Sequence, residues 1–236
     1  MKFSMIIPCF NELQSLSNLL KMLLPLQVEY DLEYIFVENG SSDQSEDYFK
    51  KNIENKFANV KVAYINKNIG YGFGLQQGLK SAQGEYIGWI HADSQIMVNE
   101  LKKFFDAVLN SDDKKEVFLK GKRHKRSLSA LFFTVGQGFF SSMLFGKWLF
   151  DLGATPVIFS ESLIANIEKL PNDFSIDIFV HVEAIKKGFE IERINVDFNE
   201  RQEGTSSWDT GIISKLRQSK KVIESSFKIR IGRKVL

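Results

Sequence analysis

Apolar runs and helical-period segments take turns along the first 93 residues. Met1–Pro8 is a short apolar run and predicts a strand. Asn11–Leu26 carries Leu13, Leu16, Leu19, Leu20, Leu23 and Leu24 at helical spacing. Tyr34–Val37 predicts a second strand, ended by the turn ENGSSD. Ser45–Phe57 reads as a charged amphipathic helix, and Val60–Ile65 alternates as a third strand. The Gly-rich turn NKNIGYGFG feeds a helix over Phe73–Ala82, which Gly84 stops, and Tyr86–Ile90 predicts a fourth strand. This β-α-β-α-β-α-β order implies a mostly parallel sheet with helices on both faces. Ligands of such sheets sit at the carboxyl ends of the strands. The polar clusters CFNE, ENGSSD and HADSQ therefore face one crevice.

Further along, a helix is expected over Glu100–Leu109 and a strand over Val117–Lys120. The basic run KGKRHKR follows, and then Ser127–Gly146, which carries no charge. ATPVIFS predicts a strand, Ile178–Lys187 a helix and EIERINVDF a further strand, followed by ERQEGTSSW. From Lys215 the chain predicts a basic helix with Lys220, Lys221, Lys228, Arg230, Arg233 and Lys234. Internal repeats and low-complexity linkers are absent from the sequence.

The length of 236 residues fits one good-sized domain, or a domain plus an appendage. A net charge of +2 provides no global field for nucleic acid, and neither an aromatic platform nor a recognition motif accompanies the basic runs. Cys9 is the only cysteine, which excludes a disulfide framework and a CxxC metal site and fits a reducing, cytoplasmic compartment. The apolar N-terminal run is too short for a signal peptide. Ser127–Gly146 approaches the length of a membrane span, but Gln137, Gly136, Gly138 and Gly146 leave it weakly hydrophobic. Amphipathic helices, buried or lying at a membrane surface, are expected there in preference to a span. Basic charge flanks this segment and is interleaved with Ile223, Phe227, Ile229 and Ile231 in the last helix, a composition that suits either a solvated face or an anionic membrane surface.

Several stretches offer chemistry. Asp93 and Gln95 fall two apart, on one side of an extended chain, with His91 beside them. Such oxygen ligands suit Mg²⁺ or Mn²⁺ held jointly with a diphosphate, although the same residues also read as a polar turn capping a helix at Ser94. Glu38 and Asn39 end a buried strand, where a carboxylate can meet a base edge or a ribose; an ordinary Asn-Gly turn with a helix cap is the plainer reading. NIGYGFG offers a loop at a helix start that could cradle phosphate. It is not GxGxxG, because Leu75 occupies the third glycine position and the loop follows the third strand, which argues against a dinucleotide enzyme. Arg201, beyond a strand end, can clamp a diphosphate or stand solvated. His91, His124 and His181 lack zinc spacing. A sugar nucleotidyltransferase would need a basic Gly-rich loop after the first strand, which PCFNE lacks.

Taken in order, these pieces resemble glycosyltransferase family 2, with its GT-A fold. IIPCFNE is similar to the family's Pro-x-Tyr/Phe-Asn-Glu opening, and VENGSSDQS to its Val-Asp-Asp-Gly-Ser-x-Asp turn. NKNIGYGFGLQQGLKSAQGEYIGWIHADSQ resembles the stretch leading to Asp-x-Asp. FNERQEGTSSW is similar to the Arg-x-x-Gly-x-Ser element of the dolichol-phosphate mannose synthase branch. The sequence departs from the pattern at two places: His91 stands for the first Asp of Asp-x-Asp, and Asn39 for the second Asp of the turn.

The resemblance implies an α/β GT-A catalytic domain over residues 1–211, with a nucleotide-sugar half (1–98) and an acceptor half (99–211), and a basic C-terminal helix over 212–236. It implies a nucleotide pocket lined by Pro8, Phe10, Asn11, Glu12, Glu38, Asn39, Gly70, His91, Ala92 and Asp93. Asp93 would hold a divalent metal, Mg²⁺ or Mn²⁺, with Gln95 and His91 helping. Arg201 would contact the diphosphate or an acceptor phosphate. It further implies inversion in one displacement. A polyprenyl-phosphate acceptor needs no general base. A hydroxyl acceptor does, with Asp151 as first candidate and Asp177 as second. The expected partners are a nucleotide-diphospho-sugar donor and a lipid-linked acceptor at the inner face of the cell membrane, with a homo-oligomer allowed. A growing polysaccharide is the alternative acceptor, and a catalytically weak nucleotide-sugar-binding scaffold is the alternative role.

Overall fold

A computed structural model describes residues 2–111, 116–124, 138–140, 142–146, 149–197 and 212–231. Its strands are β1 (Phe3–Cys9), β2 (Leu32–Glu38), β3 (Val60–Tyr64), β4 (Tyr86–Trp89), β5 (Val117–His124), β6 (Val157–Ser160) and β7 (Glu190–Asp197). They form one sheet in the order β3-β2-β1-β4-β6-β5-β7. The β1–β2, β2–β3, β1–β4 and β5–β7 pairs are parallel, while β6 runs antiparallel to both β4 and β5. The expected mostly parallel α/β architecture is therefore present, with β6 as the reversed strand. Because β2 and β4 flank β1 on opposite sides, the chain leaves β1 in one direction and returns in the other, opening a crevice at the carboxyl ends of β1 and β4.

The helices are α1 (Leu13–Leu23), α2 (Leu26–Glu29), α3 (Ser45–Asn52), α4 (Tyr71–Ser81), α5 (Val98–Asn110), α6 (Ile176–Lys186) and α7 (Ile212–Arg230). Several boundaries differ from the sequence reading, and three of them have a clear local cause. The first helix ends at Leu23, and Pro25, whose ring cannot continue a helix interior, starts α2 instead. The helix expected to Phe57 ends at Asn52, and Asn55 and Asn59 turn the chain in the left-handed region at φ 56°. Gly84 does not stop α4, which already ends at Ser81; a side chain at Gly84 would press on the Ser4 backbone nitrogen at 2.7 Å, so the glycine permits a close approach to β1.

Both faces of the sheet are covered. On one, Phe3, Met5, Phe36 and Tyr86 pack against Leu16, Leu19, Phe104 and Phe105 of α1 and α5. On the other, Ile6, Ile35, Trp89 and Phe159 pack against Leu75 and Leu79 of α4 and Ile176 and Val180 of α6. Burying such side chains stabilises by roughly 2 kcal/mol each. A third cluster joins Ile229 of α7 to Ile178 and Val182 of α6 and to Leu149 and Leu152. Most of the uncharged Ser127–Gly146 segment lies outside the described residues. No described helix is long and apolar enough to cross a membrane.

Candidate active site

The loops after β1 and β2 form one hydrogen-bonded rim. Pro8 and Phe10 flank Cys9, the last residue of β1. Asn11 turns in the left-handed region at φ 56°. Its N–H donates to Ser41 Oγ at 3.0 Å, and its Oδ1 accepts from the Ser42 N–H at 2.8 Å. Asp43 accepts from the Leu13 N–H at 3.0 Å and the Ser45 N–H at 3.1 Å, so one carboxylate serves the exposed N–H groups of α1 and α3 together. Glu12 accepts from Ser15 Oγ at 3.0 Å. The Cys9 thiol is buried and held protonated by burial and by the nearby Glu12, Glu38 and Asp43, which fits the plain structural reading of this cysteine.

Glu38 is buried and folds back on its own turn, taking the Ser41 N–H at 2.7 Å on Oε1 and the Gly40 N–H at 3.1 Å on Oε2. Each oxygen retains acceptor capacity for a ligand. Asn39 donates its N–H to the Cys9 carbonyl at 2.8 Å and its Nδ2 to the Gly70 carbonyl at 3.2 Å. Its buried Oδ1 has no hydrogen-bond partner among the described residues.

The glycine run packs closely against the second half of the chain. A Cβ at Gly70 would lie 2.3 Å from the Asn172 carbonyl oxygen, and one at Gly72 would lie 2.2 Å from that of Pro171. The Phe73 N–H at the head of α4 is given to the Asn172 carbonyl at 2.9 Å. Gln76 Nε2 reaches the carbonyls of Leu170 and Pro171 at 3.0 and 3.1 Å. The glycines thus seat the 170–173 turn of the second half on the start of α4. This contact stacks Tyr71 on Phe174, ring centroids 4.7 Å apart, and sets the entry to α6.

His91, Ala92, Asp93, Ser94 and Gln95 follow β4 into the crevice. Ser94 is not a helix cap: it stands at φ 55°, with its Oγ buried and unpartnered among the described residues, and α5 starts later, at Val98. Asp93 Oδ1 accepts from the Gln95 N–H at 3.3 Å. Among the described residues no three His, Cys, Asp or Glu side chains form a metal cage. Mg²⁺ and Mn²⁺ held on substrate phosphates need only one or two carboxylates. A half-buried Asp93 at the crevice, with His91 and Gln95 nearby, fits that shared kind of site and not an all-protein one.

From the second half come Asp177, in the first turn of α6, and Asp151, at φ 47° in the segment before β6. They differ in availability. Asp151 takes the Arg123 N–H at 3.1 Å and Arg123 Nε at 2.9 Å, and Arg123 Nη2 also bonds it. Asp177 accepts from Trp89 Nε1 at 3.0 Å on Oδ1. Burial pushes the Asp177 carboxyl up, while Lys120, His91, the Trp89 bond and Arg123 oppose the rise.

The basic run KGKRHKR was expected as a solvated or membrane-facing patch, but its first five residues continue β5. Lys120 sits in sheet register with Val157 and Arg193, fully buried, with Nζ unpartnered among the described residues. Burial pulls its pKa down to about 8. Arg193 donates Nη1 to the Phe150 carbonyl at 2.7 Å. His181, facing Phe118 at 5.5 Å, is pulled down to about 3, chiefly by burial and then by Lys120 and Arg193. The signal for Lys120 was present in the sequence: in VFLKG it shares the period-2 face of Phe118. Tyr71 and Trp89 were read only as loop and core. Arg201, with the rest of ERQEGTSSW, lies outside the described residues.

Comparison with known proteins gives three findings. The family model described as glycosyl transferase family 2 matches residues 4–125, just over half of the chain. The chain is 24% identical over 214 residues to a dodecaprenyl-phosphate galacturonate synthase of Rhizobium johnstonii, covering 88% of this chain and 62% of that protein. It is 27% identical over 106 residues to an undecaprenyl-phosphate 4-deoxy-4-formamido-L-arabinose transferase of Edwardsiella ictaluri, covering 44% of this chain and 33% of that one. It therefore spans about three fifths of the first relative and a third of the second. Among solved structures, glucosyl-3-phosphoglycerate synthase of Mycobacterium tuberculosis in complex with Mn²⁺, UDP and glucosyl-3-phosphoglycerate superposes with a TM-score of 0.72 at 15% identity, covering 98% of this chain and 80% of that one. That likeness shows a shared fold.

Proposed function

The chain belongs to glycosyl transferase family 2, and from that premise we propose that it is an inverting glycosyltransferase that moves a sugar from a nucleotide-diphospho-sugar to a membrane lipid acceptor, a polyprenyl phosphate in particular. The observation that carries this reading is the junction of the end of β4 with the start of α6, which joins the two halves beside the β1 and β2 loops. Asp93 follows β4, and Asp177 opens α6 and accepts from Trp89 Nε1 of β4 at 3.0 Å, while Tyr71 lies against His91 from one half and Phe174 from the other. A donor held at Asp93 then presents its anomeric carbon toward the acceptor half. The printed activities of the two polyprenyl-phosphate relatives support the acceptor class.

In this reading Pro8, Phe10, Asn11, Glu12, Glu38, Asn39, Gly70, His91 and Ala92 line or position the nucleotide pocket. Asp93, with Gln95 and His91, holds the divalent ion, which when bound neutralises charge on the departing diphosphate. Arg201 contacts the diphosphate or the acceptor phosphate. A phosphate acceptor arrives as an anion and attacks without proton removal. For a hydroxyl acceptor Asp177 replaces Asp151 as the base of choice, because Arg123 occupies the Asp151 carboxylate. A polysaccharide acceptor is the second reading. It is favoured by 31% identity over 110 residues to a poly-beta-1,6-N-acetyl-D-glucosamine synthase of Staphylococcus epidermidis, covering 42% of this chain and 25% of that protein.

Contact with the cytoplasmic membrane face is supported by an exposed apolar set, Phe139, Met143, Phe227 and Ile231, with Lys220, Lys221, Lys228 and Arg230 on α7. The Phe140 and Phe227 rings lie 5.5 Å apart and bring the two segments together. Transfer of radiolabelled sugar from UDP-, GDP-, CDP- and dTDP-sugars to undecaprenyl phosphate, against a glycan acceptor, tests the function. Product with the lipid phosphate supports it, and product only with the glycan selects the second reading. No product with any pair contradicts both and leaves the scaffold role.

A further inference from the structure

Tyr71 opens α4, yet it belongs to the core: it is only 7% exposed. Its ring lies flat on Phe174, 14° from parallel, and 5.5 Å from the ring of His91. The segment after β4 and the turn before α6 therefore hold its ring. Its hydroxyl is buried and has no hydrogen-bond partner among the described residues. Phe174 precedes Asp177 by three residues and His91 precedes Asp93 by two, so each ring that Tyr71 meets stands next to one of the site carboxylates in sequence. A tyrosine used only for packing gains nothing from such a hydroxyl. Phe would fill the same space without the cost of an unmet polar group.

We propose that the Tyr71 hydroxyl binds the sugar of the donor, hydrogen-bonding one of its ring hydroxyls where His91 and Phe174 flank the ring. This rests on the donor-site reading above and deepens it. The location decides between the two ends of the donor. A diphosphate belongs with Asp93 and its ion, whereas the transferred sugar must lie between the diphosphate and the acceptor half, where Asp177 stands. A buried O–H without a partner matches a sugar hydroxyl, and its ring stacks on Phe174, beside the 170–173 turn that closes on Gly70 and Gly72. Sugar recognition is thereby coupled to correct docking of the acceptor half.

Tyr71→Phe tests this, because it keeps the ring stack and removes only the oxygen. The wild type and the variant are titrated calorimetrically with UDP, UDP-glucose and UDP-galacturonate in Mn²⁺, and with the GDP, CDP and dTDP counterparts. Thermal melting without ligand is measured alongside. The expected result is about a tenfold loss of affinity for the sugar nucleotide, the size of one neutral hydrogen bond. Affinity for the bare nucleoside diphosphate should not change, and the ligand-free melting temperature should equal or exceed that of wild type. Equal loss for diphosphate and sugar nucleotide moves the hydroxyl onto the diphosphate and overturns the assignment. So does an unchanged affinity for both, or a lowered melting temperature, which is the mark of a structural role. If the wild type binds none of these nucleotides, the donor-site reading itself falls.

Discussion

Arg123 holds Asp151 through its backbone N–H at 3.1 Å and its Nε at 2.9 Å, with Nη2 closing the pair. A carboxylate so engaged is a structural anion, whereas Asp177, with one bond from Trp89 at 3.0 Å, retains an oxygen for chemistry. Asp151→Asn should therefore lower stability by about 3 kcal/mol, since it strands a largely buried guanidinium. Asp177→Asn should melt within about 1 kcal/mol of wild type. With a lipid phosphate acceptor, Asp177→Asn should keep its rate within about tenfold. With a hydroxyl acceptor it should lose about 10²-fold or more. Chemical denaturation and turnover on both acceptors separate the four outcomes, and Asp151→Asn that is fully stable but inactive would reverse the assignment.

Gly72→Ala tests whether the glycine run seats the second half. The added carbon would stand 2.2 Å from the Pro171 carbonyl oxygen, and backbone on both sides must move to admit it. A loss of about 2 kcal/mol or more is expected. Unchanged denaturation midpoints in Gly72→Ala would show that the 170–173 turn is not held there.

His181 gives a pH signature. Its folded pKa is about 3 against an ordinary 6.5, depressed chiefly by burial. The unfolded chain takes up a proton below pH 6.5 that the folded chain refuses, so the fold loses stability as pH falls from about 6.5 toward 3. The slope attributable to this group is up to about 1.4 kcal/mol per pH unit. His181→Phe should flatten the stability profile over that window when denaturation is followed from pH 7 to 4. An unaltered slope would mean that His181 is charged in the fold.

The exposed Phe139, Met143, Phe227 and Ile231, beside the lysines of α7, should bind vesicles containing phosphatidylglycerol and leave phosphatidylcholine vesicles free. Phe227→Ser together with Ile231→Ser should cut cosedimentation about tenfold or more, since both side chains are lost from the apolar face. Raised salt should weaken what remains. Equal binding to neutral and anionic vesicles would contradict an electrostatic contribution.

The parallel half of the fold was legible because its strands are apolar runs separated by helical-period segments, and the crevice followed from strand order. The loops after β1 and β2 share one hydrogen-bonded rim, and β4 neighbours β1 in the sheet. The second half was harder to read. Lys120 looked like the start of a basic run because charge is usually solvated, yet tertiary packing buries it in β5. At Gly70 and Gly72 the local pattern shows a loop at a helix start, while the close approach of residues 171 and 172 is a contact across a hundred positions, invisible to that pattern. The Tyr71–Phe174 and Trp89–Asp177 contacts were hidden for the same reason. The plainer reading of Ser94 as a cap came from residue type alone, whereas α5 begins four residues later.

The most direct test of the donor site is calorimetric titration of UDP, GDP, CDP and dTDP, each with and without Mn²⁺, into wild type and Asp93→Ala. The account predicts binding of one nucleotide by wild type that depends on the metal and is lost with EDTA and in Asp93→Ala. Nucleotide binding that is indifferent to Mn²⁺ and intact in Asp93→Ala would contradict it.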